Sequence, residues 1–124
     1  MTRRAVVLDE NLPGRLATEL KRRGRRATHV SELQLRGAQD PDLLAAIDQR
    51  LDDWILITAD LKMPAEHASA SVDVSATLAI VGRAAPGWAT DEWWREVVHR
   101  QAHAMHDQPA GSMRRYSLRS HRRI

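Results

Sequence analysis

The 124-residue sequence contains no cysteine, which excludes disulfide bonds, thiolate metal sites and a cysteine nucleophile. It also lacks phenylalanine, and only 4% of its residues are aromatic, so a core must be built mainly from Leu, Val, Ile and Ala. A hydrophobic content of 43% in a chain of this length supports one globular domain. No apolar run approaches membrane-spanning length, and the N-terminus lacks an adequate signal-peptide region, so we expect a cytoplasmic protein without membrane contact.

Three widespread sequence motifs are also missing. The chain has no GxGxxG, no GxxxxGK[ST] and no GxSxG, so dinucleotide-binding, P-loop and hydrolase-elbow functions have no support.

Charge is unevenly distributed along the chain. Residues 112–124 carry five arginines and no acid, and removing those five from the total of +3 leaves about −2 for residues 1–111. This split predicts a folded domain over 1–111 and a basic, flexible C-terminal arm over 112–124. A second basic run, 21–26, follows a helical pattern and favours a helix end with cations suited to its dipole; the alternative is a nucleic-acid patch.

Apolar runs alternate with helical patterns. The runs at 5–8, 27–30, 54–58 and 78–81 predict strands, and capped amphipathic segments between and after them predict helices. This alternation predicts an α/β, doubly wound, three-layer fold with a parallel sheet of four or five strands and strand 5–8 at its centre.

Acidic residues directly follow two of these strands. Asp9 and Asp60 would meet at the carboxyl edge of a parallel sheet, and Asp40, at the start of the intervening helix, can point at the same crevice. Helix or turn capping alone would also explain Asp9 and Asp40. Three carboxylates with no cation between them repel one another unless Mg²⁺ or Mn²⁺ binds them, and such a site suits phosphodiester hydrolysis. His99 and His103 have metal-ligand spacing, but no HExxH-type glutamate accompanies them.

Several short motifs resemble those of the PIN-like nuclease families. They are Val7-Leu8-Asp9-Glu10-Asn11-Leu12-Pro13, His29-Val30, Gly37 with Asp40, and Ile57-Thr58-Ala59-Asp60. The chain is most similar to compact bacterial PIN-like proteins thought to be toxins of toxin–antitoxin pairs. The resemblance implies a PIN fold, Mg²⁺- or Mn²⁺-dependent ribonuclease activity on RNA, and a small antitoxin partner. It also implies that Asp9, Asp40 and Asp60 are the catalytic, metal-binding acids, with Glu10 or Asn11 orienting them and Glu10 a further candidate metal ligand.

The sequence departs from this family pattern after Asp60. Relatives often carry a second acid two residues later and then an aromatic residue, where this chain has Lys62 and Met63. Glu66 could supply the further carboxylate, Lys62 could contact phosphate, or the site could bind metal weakly in a degenerate, purely binding protein. We expect Asn11, Thr58 and Lys62 to contact substrate, together with Arg114 and Arg115 of the basic arm.

A receiver-like phosphoacceptor domain is an alternative from another class. Asp9, Glu10 and Asp60 imitate its acids, but it needs a lysine at the end of a fifth strand, and Lys62 is the only lysine after Asp60.

Three tryptophans, Trp88, Trp93 and Trp94, cluster at the start of the last helix. We expect at least one of them to be exposed for a second copy of the chain or an antitoxin.

Overall fold

The computed structural model describes residues 4–38, 40–69, 75–119 and 121–123, and the side chains of these except residues 40, 67–69 and 121–123. The strands are β1 (Ala5–Leu8), β2 (Arg26–His29), β3 (Trp54–Thr58), β4 (Leu78–Val81), β5 (Met113–Tyr116) and β6 (His121–Arg123). The helices are α1 (Arg15–Arg22), α2 (Asp40–Arg50), α3 (Met63–Ser69) and α4 (Thr90–Asp107). Within these residues, no helix combines the length and the apolar character needed to cross a membrane.

The strands form one sheet in the order β2-β1-β3-β4-β5-β6. The first five strands of this order are parallel, and β6 pairs antiparallel with β5. The predicted α/β fold with a parallel sheet flanked by helices is therefore confirmed, with five parallel strands. The prediction that strand 5–8 is central was wrong: β1 is paired on both sides, but β5 and β6 move the middle of the sheet to the boundary between β3 and β4.

Helices cover both faces of the sheet, so the core has two halves. Along β3, Ile55 and Ile57 face the half that contains residues of α1 and α4, while Leu56 faces the half that contains residues of α2 and α3. Every residue of β3 is buried. Such continuous burial is typical of parallel strands with helices on both sides, and it explains the unbroken apolar runs in the sequence.

Helix α1 ends at the glycine that the sequence indicated. Gly24 has a φ of +82°, which glycine adopts without steric cost. The backbone N–H of Gly24 donates to the Lys21 carbonyl (3.0 Å), and that of Arg25 donates to the Leu20 carbonyl (3.0 Å). The last carbonyls of the helix therefore have backbone partners.

An ion cluster joins α1 to α4. The carboxylate of Glu19 accepts hydrogen bonds from Arg95 Nε (2.9 Å) and Nη2 (3.0 Å), and it lies 2.9 Å from His99 Nε2. The Arg95 hydrogen bonds are the largest cause that lowers the pKa of Glu19 to about 2. His103 pairs instead with Asp107 (3.1 Å). Both histidines thus contact carboxylates, and among the described side chains no group of three or more potential ligands could hold a metal.

The expected flexible arm over 112–124 needs correction. Residues 113–116 form β5, and Tyr116 is only 1% exposed. The Tyr116 hydroxyl donates to Gln108 Oε1 (2.8 Å), and Gln108 Nε2 donates to the carbonyls of Leu78 (2.8 Å) and Ser112 (2.9 Å). Two arginines inside β5 made the segment look like a solvated tail, but strands near a sheet edge tolerate charge because part of each strand faces water.

We predict that Tyr116→Phe lowers the free energy of unfolding by about 1–3 kcal/mol, because it leaves the buried Gln108 Oε1 without its donor. Urea denaturation measures this loss. Arg119→Gln, on an exposed side chain of the same segment, should stay within about 0.5 kcal/mol of wild type. A Tyr116→Phe protein as stable as wild type would contradict the docking of β5.

Candidate functional site

The site lies at the carboxyl edge of the sheet and is organised around Asp9, which directly follows β1. Leu8 is paired with Ile57 across the β1–β3 ladder, so the next residues, Asp9 and Thr58, also meet. Asp9 is 6% exposed. Its Oδ2 accepts a hydrogen bond from Thr58 Oγ1 (2.7 Å), and its Oδ1 accepts one from the backbone N–H of Glu10 (2.8 Å). The carboxylate is therefore held in one orientation.

Thr58 is the residue through which the other polar groups of this edge are connected. Its hydroxyl oxygen, which donates to Asp9, accepts hydrogen bonds from the backbone N–H of Asp60 (3.0 Å) and from Asn11 Nδ2 (3.4 Å). Asn11 Oδ1 in turn accepts from the backbone N–H of Ala59 (3.3 Å). Thr58 and Asn11, expected to contact substrate, are thus engaged in positioning Asp9 and the turn that carries Asp60.

Burial is the main cause that raises the pKa of Asp9 above its ordinary value. The hydrogen bonds from Thr58 and from the Glu10 N–H act in the opposite direction, and the negative charges of Glu10 and Asp60 raise the pKa further. An ionised Asp9 is therefore costly in the protein alone, and a bound cation would remove that cost.

The second acid, Asp60, lies in the turn after β3. Its Oδ1 accepts a hydrogen bond from the backbone N–H of Lys62 (2.9 Å), while the Lys62 side chain is exposed. Met63 is completely buried in the core, so its side chain serves packing. Glu66 is exposed on α3, and among the described acids no three lie close enough together to bind one ion.

The loop after β2 reaches this edge as well. Glu10 Oε2 accepts a hydrogen bond from the backbone N–H of Gly37 (3.3 Å), a glycine with a φ of +82°. Helix α2 begins at Asp40, three residues later, as the Asp-Pro start signal predicted. The side chain of Asp40 lies outside the described part of the structure, so its place in the acidic site stays a prediction.

His29 belongs to the His29-Val30 motif, and its ring makes contacts within the fold. Its Nε2 donates to the Leu12 carbonyl (2.8 Å), and the His29 ring also lies 2.8 Å from the Ser31 hydroxyl. His29 is 4% exposed. It therefore fixes the turn that follows Asp9 rather than facing the site.

Basic side chains lie farther along the same edge. The Arg115 Nε lies 3.4 Å from the position that a Cβ on Gly82 would occupy, and Gly82 directly follows β4. Arg114 points to the opposite face of the sheet because successive strand residues alternate, so the two arginines expected to bind substrate are separated. Sequence reasoning missed Arg83, an exposed residue beside a cavity of about 330 Å³ that also involves Ala59 and Trp94.

The three tryptophans divide as expected between core and surface. Trp93 is 6% exposed, and its Nε1 donates to the Gly82 carbonyl (2.9 Å). Trp94 is half-buried, whereas Trp88 is 39% exposed and makes an edge-to-face contact with Trp93, with ring centroids 5.8 Å apart.

Comparison with known families agrees with this architecture. A family model described as a PIN like domain matches residues 5–81, more than half of the chain, and the chain belongs to this family. The match spans Asp9, Asp40 and Asp60 and ends at the last residue of β4. No curated protein and no solved structure matches the chain.

We predict that Asp9→Asn stabilises the metal-free protein at neutral pH. The folded-state pKa of Asp9 is raised above its ordinary value of 3.8, so its ionisation costs stability at all higher pH values and costs nothing below both pKa values. The gain in melting temperature should therefore be largest near neutrality and disappear as the pH falls below about 4.

Thermal unfolding with a chelator present, from acid to neutral pH, tests this. Asp52→Asn, the same change at an exposed site, should give no such pH-dependent gain. A destabilised Asp9→Asn protein at neutral pH would mean that the hydrogen bonds from Thr58 and Glu10 outweigh burial and repulsion.

Proposed function

We propose that this protein is a metal-dependent ribonuclease that acts as the toxin of a toxin–antitoxin pair. The observation that carries the proposal is Asp9: a buried carboxylate, fixed at the carboxyl edge of a PIN-like domain, whose pKa is raised partly by two neighbouring acids. A purely structural capping residue has no need for burial among like charges.

The donor atoms at this edge suit a hard divalent cation. Asp9, Glu10 and Asp60 offer only oxygen ligands, which Mg²⁺ and Mn²⁺ prefer. Within the described part of the chain, each side-chain oxygen of Asp9 makes one hydrogen bond, so each retains a second lone pair for a cation. We propose that Asp9, Asp40 and Asp60 hold the ion. Such an ion lowers the pKa of a water molecule and neutralises charge on the phosphate.

The chain's own residues would then share the remaining work. Thr58 and Asn11 hold Asp9 and the Asp60 turn in place through the hydrogen bonds described above. Arg115, against Gly82, and the exposed Lys62 would bind the phosphates of the RNA chain on either side of the acids.

A catalytically degenerate PIN-like binding protein is the second candidate. It is favoured by Lys62, which stands where relatives often carry a second acid, and by Glu66, whose side chain is exposed on α3. The receiver-like alternative loses its support because the chain belongs to the PIN-like family and β5 ends in two arginines and a tyrosine.

We predict that Mn²⁺ stabilises the wild-type protein by about 2.7 kcal/mol at a concentration a hundredfold above its Kd. Wild type should cut RNA, and its expression should arrest growth. Asp9→Asn should abolish cleavage and growth arrest and weaken Mn²⁺ binding. Asp40→Asn is the sharper test, because Asn caps a helix about as well as Asp and should leave the fold intact.

Thermal shift with Mn²⁺ and an RNA cleavage assay give the two readouts, with Asp52→Asn as the matched control. If Asp40→Asn cuts RNA normally, Asp40 is only a cap. If folded wild type neither binds Mn²⁺ nor cuts any RNA, the degenerate candidate replaces the nuclease.

The partner surface of this toxin would include Trp88. An indole exposed at 39% beside the buried Trp93 is a large apolar group on a rigid support, as interface anchors are. We predict that Trp88→Ala weakens binding of a small antitoxin, or of a second copy, by at least about 2 kcal/mol while leaving the melting temperature nearly unchanged. Light scattering of wild type separates the two partners, because a clean monomer eliminates the homodimer.

A further inference from the structure

A second charged feature lies at the amino-terminal edge of the sheet, opposite the acids. A cleft of about 380 Å³ opens there, and its lining includes Arg4, Arg23, Arg25, Arg26 and His106. Among the described residues, none of the side chains that line it is acidic. We propose that this cleft binds phosphate groups of the RNA chain, away from the catalytic edge. The proposal rests on RNA being the ligand of the proposed function.

Arg4 holds the walls of the cleft in place, because its guanidinium group is already bound to other parts of the chain. Its Nε pairs with Asp53 (3.1 Å), and its Nη1 donates to the carbonyls of Met105 (3.1 Å) and Gln108 (2.6 Å) at the end of α4. Arg4 therefore joins the start of β1 to the end of α4 and fixes the floor of the cleft.

Arg23 and Arg25 are the cations available to a ligand. Within the described chain neither forms an ion pair with an acid, whereas the nearby Lys21 pairs with Glu32 (3.4 Å). Arg23 is exposed and Arg25 is half-buried. Two guanidinium groups in one concave surface repel each other, and an anion between them would remove that repulsion.

The helix end does not account for these two arginines. The carbonyls of Glu19, Leu20 and Lys21 accept hydrogen bonds from the backbone N–H groups of residues 23–25. The guanidinium groups are therefore not needed to cap α1. Cations that complement the helix dipole are already present in its last turn, at Lys21 and Arg22.

The lining favours phosphate over a protein partner. Guanidinium groups bind phosphate oxygens in pairs, with two parallel hydrogen bonds. Among the residues that the structure describes, the lining includes no Phe, Tyr or Trp, and Val6 is its only large aliphatic side chain, so it lacks the anchors that protein interfaces use.

The distance between the two edges means that a phosphate bound in the cleft is not the one bound at the acidic edge. Arg4 and Asp9 are separated by the length of β1, about 16 Å for five residue steps in a strand. One phosphate cannot touch both places. An RNA chain that occupies the cleft and the acidic edge must run along the side of the domain, so the cleft increases affinity without taking part in bond cleavage.

The test is the salt dependence of RNA binding. Affinity of a labelled single-stranded RNA is measured between about 50 and 200 mM salt. The protein carries Asp9→Asn, and a chelator is present, so that no cleavage occurs. Each phosphate contact on a single strand contributes about 0.7 to the slope of log K against log salt. Arg23→Gln and Arg25→Gln should each reduce the slope by about 0.7, and the double variant by about 1.4, equally for RNAs of different sequence.

Arg22→Gln is the matched control, because this exposed arginine adjoins Arg23 in the sequence but does not line the cleft. It should leave the slope unchanged, and unchanged melting temperatures exclude misfolding. An unaltered slope in the folded double variant, or wild type that binds no RNA, overturns the proposal. A protein that binds RNA through the cleft but never cuts it leaves this inference standing and removes only the nuclease.

Discussion

The parallel pairing of β1 with β3 is the constraint on which the site depends. The ladder continues one residue beyond the apolar run, because the backbone N–H of Asp9 donates to the Ile57 carbonyl (2.9 Å). This bond carries the carboxylate into a buried position next to Thr58. A shift of the register by one residue would turn every side chain of β1 to the other face, and the two-sided core makes that costly.

Burial of the Asp9 carboxylate lowers the stability of the folded protein, while the proposed function depends on the same group. Removing a carboxylate from water is unfavourable, and the neighbouring charges of Glu10 and Asp60 add to the cost. Two hydrogen bonds recover part of it and fix the orientation of the group. Asn or Ser would serve a simple turn here without this cost, and the charge at this position is what the proposed cation would neutralise.

The sequence predicted those parts of the structure that local chemistry determines. The strand before Asp9, the helix start at Asp40 and the helix stop at Gly24 all follow from apolar runs, caps and backbone freedom. Asp9 and Asp60 were expected together because parallel strands share an edge. The position of Thr58 between Asp9 and Asp60 depends on the register of β1 and β3. Asp9 and Thr58 are 49 residues apart in the sequence, and no local pattern encodes that register.

Contacts between distant segments were the ones that sequence reasoning missed. The residues of β5 resemble a solvated basic tail, but they pair with β4, and Tyr116 is buried and bonded to the buried Gln108. His99 was considered for a metal because His103 lies one turn away, yet its ring contacts Glu19, which is 80 residues distant. In both cases a polar residue found its partner through tertiary packing.

The two edges of the sheet carry opposite charges, with arginines at the amino-terminal edge and acids at the carboxyl edge, and this arrangement suits a polyanion. Because α1 and α4 run antiparallel to the strands they connect, their C-terminal ends, with partial negative charge, lie at the amino-terminal edge, where the arginines gather. The helix dipoles of this fold therefore lower the electrostatic cost of placing cations at the amino-terminal edge and acids at the carboxyl edge. In the proposed function, an RNA chain held by its phosphates at the first edge would present a phosphodiester at the second, where the proposed cation would neutralise the charge of the acids.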